Sequence, residues 1–127
     1  MTSEARARRI GDRMLEELAQ ILRRQAADPR LEGLTVTGVD VDRELGFATI
    51  YVTAAAATAE RRNDILEGLE RARGFLRSEL ARRIPLRSFP QLRFRWDASV
   101  DHGAHIDELL NALKREQDEA PSGVDKE

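Results

Sequence analysis

Two histidines and a crowd of arginines are the residues of this chain whose types and spacing could do chemistry. His102 and His105 stand three positions apart with Asp101 and Asp107 beside them, which on a helix can offer two ligands to a metal ion. No third ligand follows at an identifiable spacing and no HExxH glutamate accompanies them. Two exposed polar residues in the first turn of a helix explain the pattern better. Ser78 and Ser99 have no histidine partner at a spacing that would make either a nucleophile. A Walker loop and a glycine-rich dinucleotide fingerprint are both missing. The chain has no cysteine, which excludes disulfides, thiolate catalysis and Cys-ligated zinc. Nothing here supports an enzyme, and nothing calls for a metal or other cofactor.

The arginines point to binding. From Arg71 to Arg95 there are eight, at positions 71, 73, 77, 82, 83, 87, 93 and 95, against one acid, Glu79, a local net charge of +7. Arg6, Arg8, Arg9 and Arg13 form a second block near the start. The whole chain has a formal net charge of only −2. Its last dozen residues, Glu116 to Glu127, hold five acids and one lysine, so residues 1–115 sum to +2. A clustered basic face matters more than the total for binding a phosphate backbone. Arginine's planar fork suits bidentate phosphate contact, although a codon bias toward arginine also explains part of the preference over lysine. Such contacts position nucleic acid without reading its sequence.

These residues need elements to carry them. Glu4 to Ala27 reads as a helix with Ile10, Met14, Leu18 and Leu22 on one face, stopped by Asp28-Pro29. Leu34 to Val41 reads as a strand whose alternation slips across Gly38, the mark of a bulge. Asp42 to Gly46 forms a turn, and Phe47 to Thr53 returns with Ala48, Ile50 and Val52 on one face and Phe47, Thr49, Tyr51 and Thr53 on the other. Glu60 to Arg87 carries a helical stripe, Ile65, Leu69, Ala72, Leu76, Leu80 and Ile84. A straight helix of that length exceeds the width of a small domain, so it must protrude or break. Gly74 is the expected break, with Thr58 a plausible cap at the start. Gln91 to Asp97 alternates as a third strand, with Leu92, Phe94 and Trp96 inward and Arg93 and Arg95 outward. Asp101 can cap a last helix striped by Ile106, Leu109, Leu110 and Leu113.

The order is αββααβα, an α+β arrangement of helices on one face of a small sheet. At 127 residues a single domain over 1–116 is expected, with 117–127 a disordered acidic tail. No apolar run is long enough for a membrane span, and no signal-peptide core opens the chain. The candidate interface is the kinked helix pair, with Arg71, Ala72, Arg73, Gly74, Arg77, Arg82, Arg83 and Arg87. The N-terminal helix adds Arg6, Arg8, Arg9 and Arg13. Arg93 and Arg95, on the open face of the sheet beside Thr49 and Tyr51, make a second candidate surface. The competing reading is a basic protein–protein adaptor without direct RNA contact.

Several segments together resemble the bacterial ribosome-binding factor A family over about Arg6 to Lys114. They are Arg6-Ala7-Arg8-Arg9-Ile10, Asp28-Pro29-Arg30, Ala48-Thr49-Ile50-Tyr51-Val52-Thr53, Ala72-Arg73-Gly74-Phe75-Leu76-Arg77, Pro90-Gln91-Leu92-Arg93-Phe94-Arg95-Trp96-Asp97-Ala98-Ser99 and Ile106-Asp107-Glu108-Leu109-Leu110. The resemblance implies a type II KH domain with an αββααβ core and an extra C-terminal helix, in which an Ala-x-Gly kink at Ala72, Arg73 and Gly74 replaces the usual Gly-x-x-Gly loop. It implies a cytoplasmic, non-catalytic assembly factor that needs no cofactor. Such a factor binds the immature or free small (30S) ribosomal subunit and supports late maturation of 16S rRNA, including its 5′ end. It is needed most in the cold and is released with the help of an assembly GTPase. A monomer is expected. Relatives usually carry Asp-Leu in the hairpin turn where this chain has Glu44-Leu45, which keeps the charge and lengthens its reach.

Overall fold

Alternation of Ala48, Ile50, Val52 and Ala54 with Phe47, Thr49, Tyr51 and Thr53 makes Phe47–Ala54 a strand that buries one side only. In the computed structural model, which describes residues 2–24 and 29–99, it is β2, the centre of a three-stranded sheet ordered β1-β2-β3. β1 (Leu34–Val41) pairs with it antiparallel, and β3 (Gln91–Trp96) pairs with it parallel. Between β2 and β3 runs the long helix α2 (Ala59–Arg83), the crossover that a parallel pair requires. The first helix, α1 (Glu4–Arg24), precedes a short 3-10 turn at Pro29–Leu31. The chain divides into two units, Met1–Asp97 and Ala98–Glu127. The expected last helix, His102, His105 and the acidic tail lie outside the described residues, as do positions 25–28, on which the expected helix end at Ala27 falls.

Local signals account for the boundaries. Ser3 caps α1, its hydroxyl accepting from the Arg6 amide at 3.1 Å. Thr58 caps α2 in the same way through the Arg61 amide at 3.0 Å. In the hairpin turn the Asp42 carboxylate accepts from the Gly46 and Phe47 amides at 2.7 and 3.2 Å, while Leu45 adopts a positive φ of 57°. The register of β1 against β2 shifts between Val36 and Gly38, so Thr37 is the extra residue of the expected bulge. Its hydroxyl donates to the Asp97 carboxylate, tying one edge strand to the residue that follows the other.

The inward rows are Val36, Val39 and Val41 from β1, Ala48, Ile50 and Val52 from β2, and Leu92, Phe94 and Trp96 from β3. Met14, Leu18 and Ile21 of α1 and Ile65, Leu69, Leu76 and Leu80 of α2 complete the core. α1 comes close enough to β1 that a Cβ on Gly11 would sit 2.8 Å from the Val39 carbonyl oxygen.

The expected break at Gly74 does not occur: α2 runs through it as one helix. Mid-helix glycine costs about 1 kcal/mol, whereas Leu76 and Leu80 beyond it are fully buried, at about 1.5–3 kcal/mol each. Their phase matches that of Ile65 and Leu69, and a continuous ladder keeps that phase. The length is accommodated instead by overhang. At about 37 Å α2 outreaches eight-residue strands of about 26 Å. Its flanks find other partners, Gly68 against Arg30 and Leu31, and Arg77 against the loop before β3.

Candidate nucleic-acid interface

Five of the twelve expected arginines ride on α2, and the geometry sorts them into distinct groups. Arg71 and Arg73 are exposed and pair with Glu67 at 3.8 Å and Glu70 at 3.2 Å. Both acids lie just upstream of the window that held Glu79 alone, four and three residues before their partners. Over the whole of α2 seven arginines meet five acids. Arg82 pairs with Glu79 at 2.8 Å. Exposed pairs of this kind are worth about 0–1 kcal/mol, so a phosphate can displace the carboxylate and the arginines stay available. Gly74 is exposed beside them, with open space where a side chain would be. Ala72 is half-buried and packs against the core.

Arg77 is different. It is half-buried, donating through Nε to the Pro90 carbonyl at 3.1 Å and through a terminal nitrogen to the Phe89 carbonyl at 2.6 Å. Its guanidinium also stands 5.9 Å from the Phe89 ring centroid. These contacts tie α2 to the loop that delivers β3, so this side chain shapes the fold whatever else it touches.

The structure joins one arginine of each basic block, Arg13 and Arg83, at a single junction. Glu17 of α1 accepts from Arg13 at 3.0 Å and from Arg83 of α2 at 3.1 Å, while Arg13 also reaches the Arg83 carbonyl at 3.4 Å. Hydrogen bonds from Arg13, then from Arg83, hold the Glu17 carboxyl below its ordinary pKa of 4.5. Arg83 has 21% of its side chain exposed and is further held by Glu79 at 3.9 Å. Its position in the last turn of α2, with Arg82, also complements the negative end of the helix dipole. Arg6 donates to Thr2 at 3.3 Å. Arg8, Arg9 and Arg87 are exposed and make no ion pair among the described residues.

On the sheet, Arg93 and Arg95 point outward as expected, cross-strand from Thr49 and Tyr51. Arg95 donates to the neighbouring Phe94 carbonyl at 3.0 Å. Arg93 lies over the Phe47 ring, 3.6 Å from its centroid. The two large hydrophobic side chains left exposed among the described residues are Phe47 at 39% and Phe75 at 49%. Sequence reasoning placed Phe47 on the outer face of β2 but gave neither ring a role. Charge counting overlooks an aromatic that stays outside the core. No group of three or more His, Asp or Glu side chains suited to a metal occurs among the described residues.

A family model described as Ribosome-binding factor A matches residues 6–110. A ribosome-binding factor A of Pseudomonas fluorescens is 44% identical over 119 residues, covering 93% of this chain and 91% of that protein. One from Desulfitobacterium hafniense is 39% identical over 113 residues, covering 89% and 90%. The crystal structure of ribosome-binding factor A from Thermus thermophilus superposes with a TM-score of 0.63 at 29% identity, covering 71% of this chain and 93% of that one. With the expected sheet, crossover helix and bulge in place, these likenesses agree with the architecture. The chain belongs to the ribosome-binding factor A family.

Proposed function

We propose that this protein binds the free or immature small ribosomal subunit through its 16S rRNA and supports late maturation of that RNA, including its 5′ end, with the greatest demand in the cold. The observation that carries this reading is membership of a family named for ribosome binding, in a chain where Arg13 of α1 and Arg83 of α2 meet across Glu17. In this reading Arg8, Arg9 and Arg87 supply ready phosphate contacts. Arg6, Arg13, Arg71, Arg73, Arg82 and Arg83 reinforce them, and the open backbone at Gly74 permits close approach. Arg77 acts mainly by holding the loop before β3. Arg93 and Arg95 form a second contact on the sheet. The protein works in the cytoplasm as a monomer without catalysis or cofactor, leaves with the help of an assembly GTPase, and folds as one RNA-binding domain over 1–116 with an acidic tail after it.

Sedimentation through sucrose with free small subunits, large subunits and assembled ribosomes tests this. The protein should travel with free small subunits, and the double variant Arg8→Glu/Arg9→Glu should bind less tightly. Its salt slope should flatten by roughly 0.7–0.9 for each phosphate that is no longer neutralised. A protein that ignores protein-free 16S rRNA yet binds subunits would be a protein–protein adaptor.

A further inference from the structure

The outer face of the sheet has a composition that charge neutralisation does not explain. Phe47 and Tyr51 lie on this face of β2, four residues apart and therefore about 13 Å along the strand. Thr49 lies between them, and Arg93 and Arg95 of β3 stand beside Thr49 and Tyr51 in register. Against these two cations stand Asp40, on the far strand β1 opposite Thr49, and Asp97, which follows β3 and accepts from the Thr37 hydroxyl. A lone exposed phenylalanine is a poor phosphate ligand. It is a good stacking surface, and here the Arg93 guanidinium already lies 3.6 Å from its centroid.

We propose that Phe47 and Arg93 form a preassembled stacking platform for an unpaired RNA base, with Arg95 holding the adjoining backbone. This rests on the RNA-binding reading above and names the form of RNA that the second surface takes. Unpaired bases stack on aromatic rings and on guanidinium planes alike, and aromatics on a flat sheet face are a recurrent way to receive them. The stack exists before any ligand arrives, so less side-chain freedom is lost on binding. Duplex RNA shows its bases edge-on within the grooves and cannot lie on such a ring. To a protein partner this face offers Phe47 as one exposed large apolar side chain, not a contiguous apolar patch. Around Phe47 stand Thr49 next along the same face, Gln91 cross-strand and the Arg93 guanidinium over the ring, polar groups that match the edges and phosphate of a nucleotide.

The test uses the full chain, a single-stranded RNA oligonucleotide, the same oligonucleotide with abasic positions, protein-free 16S rRNA and free small subunits, each titrated over a range of salt. Phe47→Leu should weaken binding to the intact oligonucleotide by about tenfold or more, with the salt slope unchanged. The abasic strand should lose a similar factor with the native protein, and Phe47→Leu should then add little. That arm leaves the protein untouched, so it stands even if the variant folds poorly. Arg93→Lys, which keeps the charge but loses the planar stack, should fall between the two.

Equal binding of intact and abasic strands by the native protein overturns the platform and leaves the subunit-binding reading in place. So does a Phe47→Leu variant that binds subunits less well but protein-free RNA as before, since the face would then be a protein contact. A native protein that binds neither subunits nor 16S rRNA removes the functional reading itself.

Discussion

Gly11 and Gly74 are both helical glycines, and the same added methyl should act on them in opposite directions. At Gly11 a Cβ would sit 2.8 Å from the Val39 carbonyl oxygen, a backbone atom that can yield only if α1 lifts off β1. Gly11→Ala should cost about 1–3 kcal/mol in urea unfolding. At Gly74 nothing lies within 4 Å of the new atom, and Gly74→Ala should stabilise by about 0.5–1 kcal/mol. Sequence alone could not separate the two, because the Val39 carbonyl becomes Gly11's neighbour only once β1 packs beneath α1. Arg77 shows the same limit. By spacing it belongs with Arg73, yet its partners are carbonyls of Phe89 and Pro90 that no periodicity links to it.

At the level of elements, α1 and α2 are clasped by Glu17 between Arg13 and Arg83. The folded protein holds this carboxyl below 4.5, so the contribution is complete above that pH and is lost as pH falls through the lowered value. Melting Glu17→Gln beside the native protein should show a gap between them near neutrality that closes on acidification. A gap that does not close on acidification would mean the carboxylate is not what clasps the helices. The helical stripes, the alternation of β2 and β3, the bulge and the Thr58 cap were all legible, because each follows from a local period or a turn residue. Two things were not. The continuity of α2 depends on how strongly Leu76 and Leu80 are buried, which outweighs one glycine. The clasp joins residues 66 apart in sequence.

For the whole molecule the asymmetry of charge is the main lever. Residues 117–127 carry a net −3 within a chain of −2, so deleting them leaves +1. The shortened protein should bind 16S rRNA more tightly at low salt, converge with the full chain as salt rises, and melt at the same temperature. A lower melting temperature would mean that the segment contributes to the fold. The basic blocks were legible as composition. Their convergence at Arg13 and Arg83 was not, since it exists only in three dimensions. The order of the sheet has a further consequence, for the birth of the chain. β1 meets β2 across the five-residue turn from Asp42 to Gly46, whereas β3 joins the other side of β2 only after a 36-residue crossover. A nascent chain therefore holds β2 with one bare edge until Trp96 has left the exit tunnel, and long-range pairing of this kind closes late. That interval, rather than the finished fold, is when this protein is most open to mispairing with another strand.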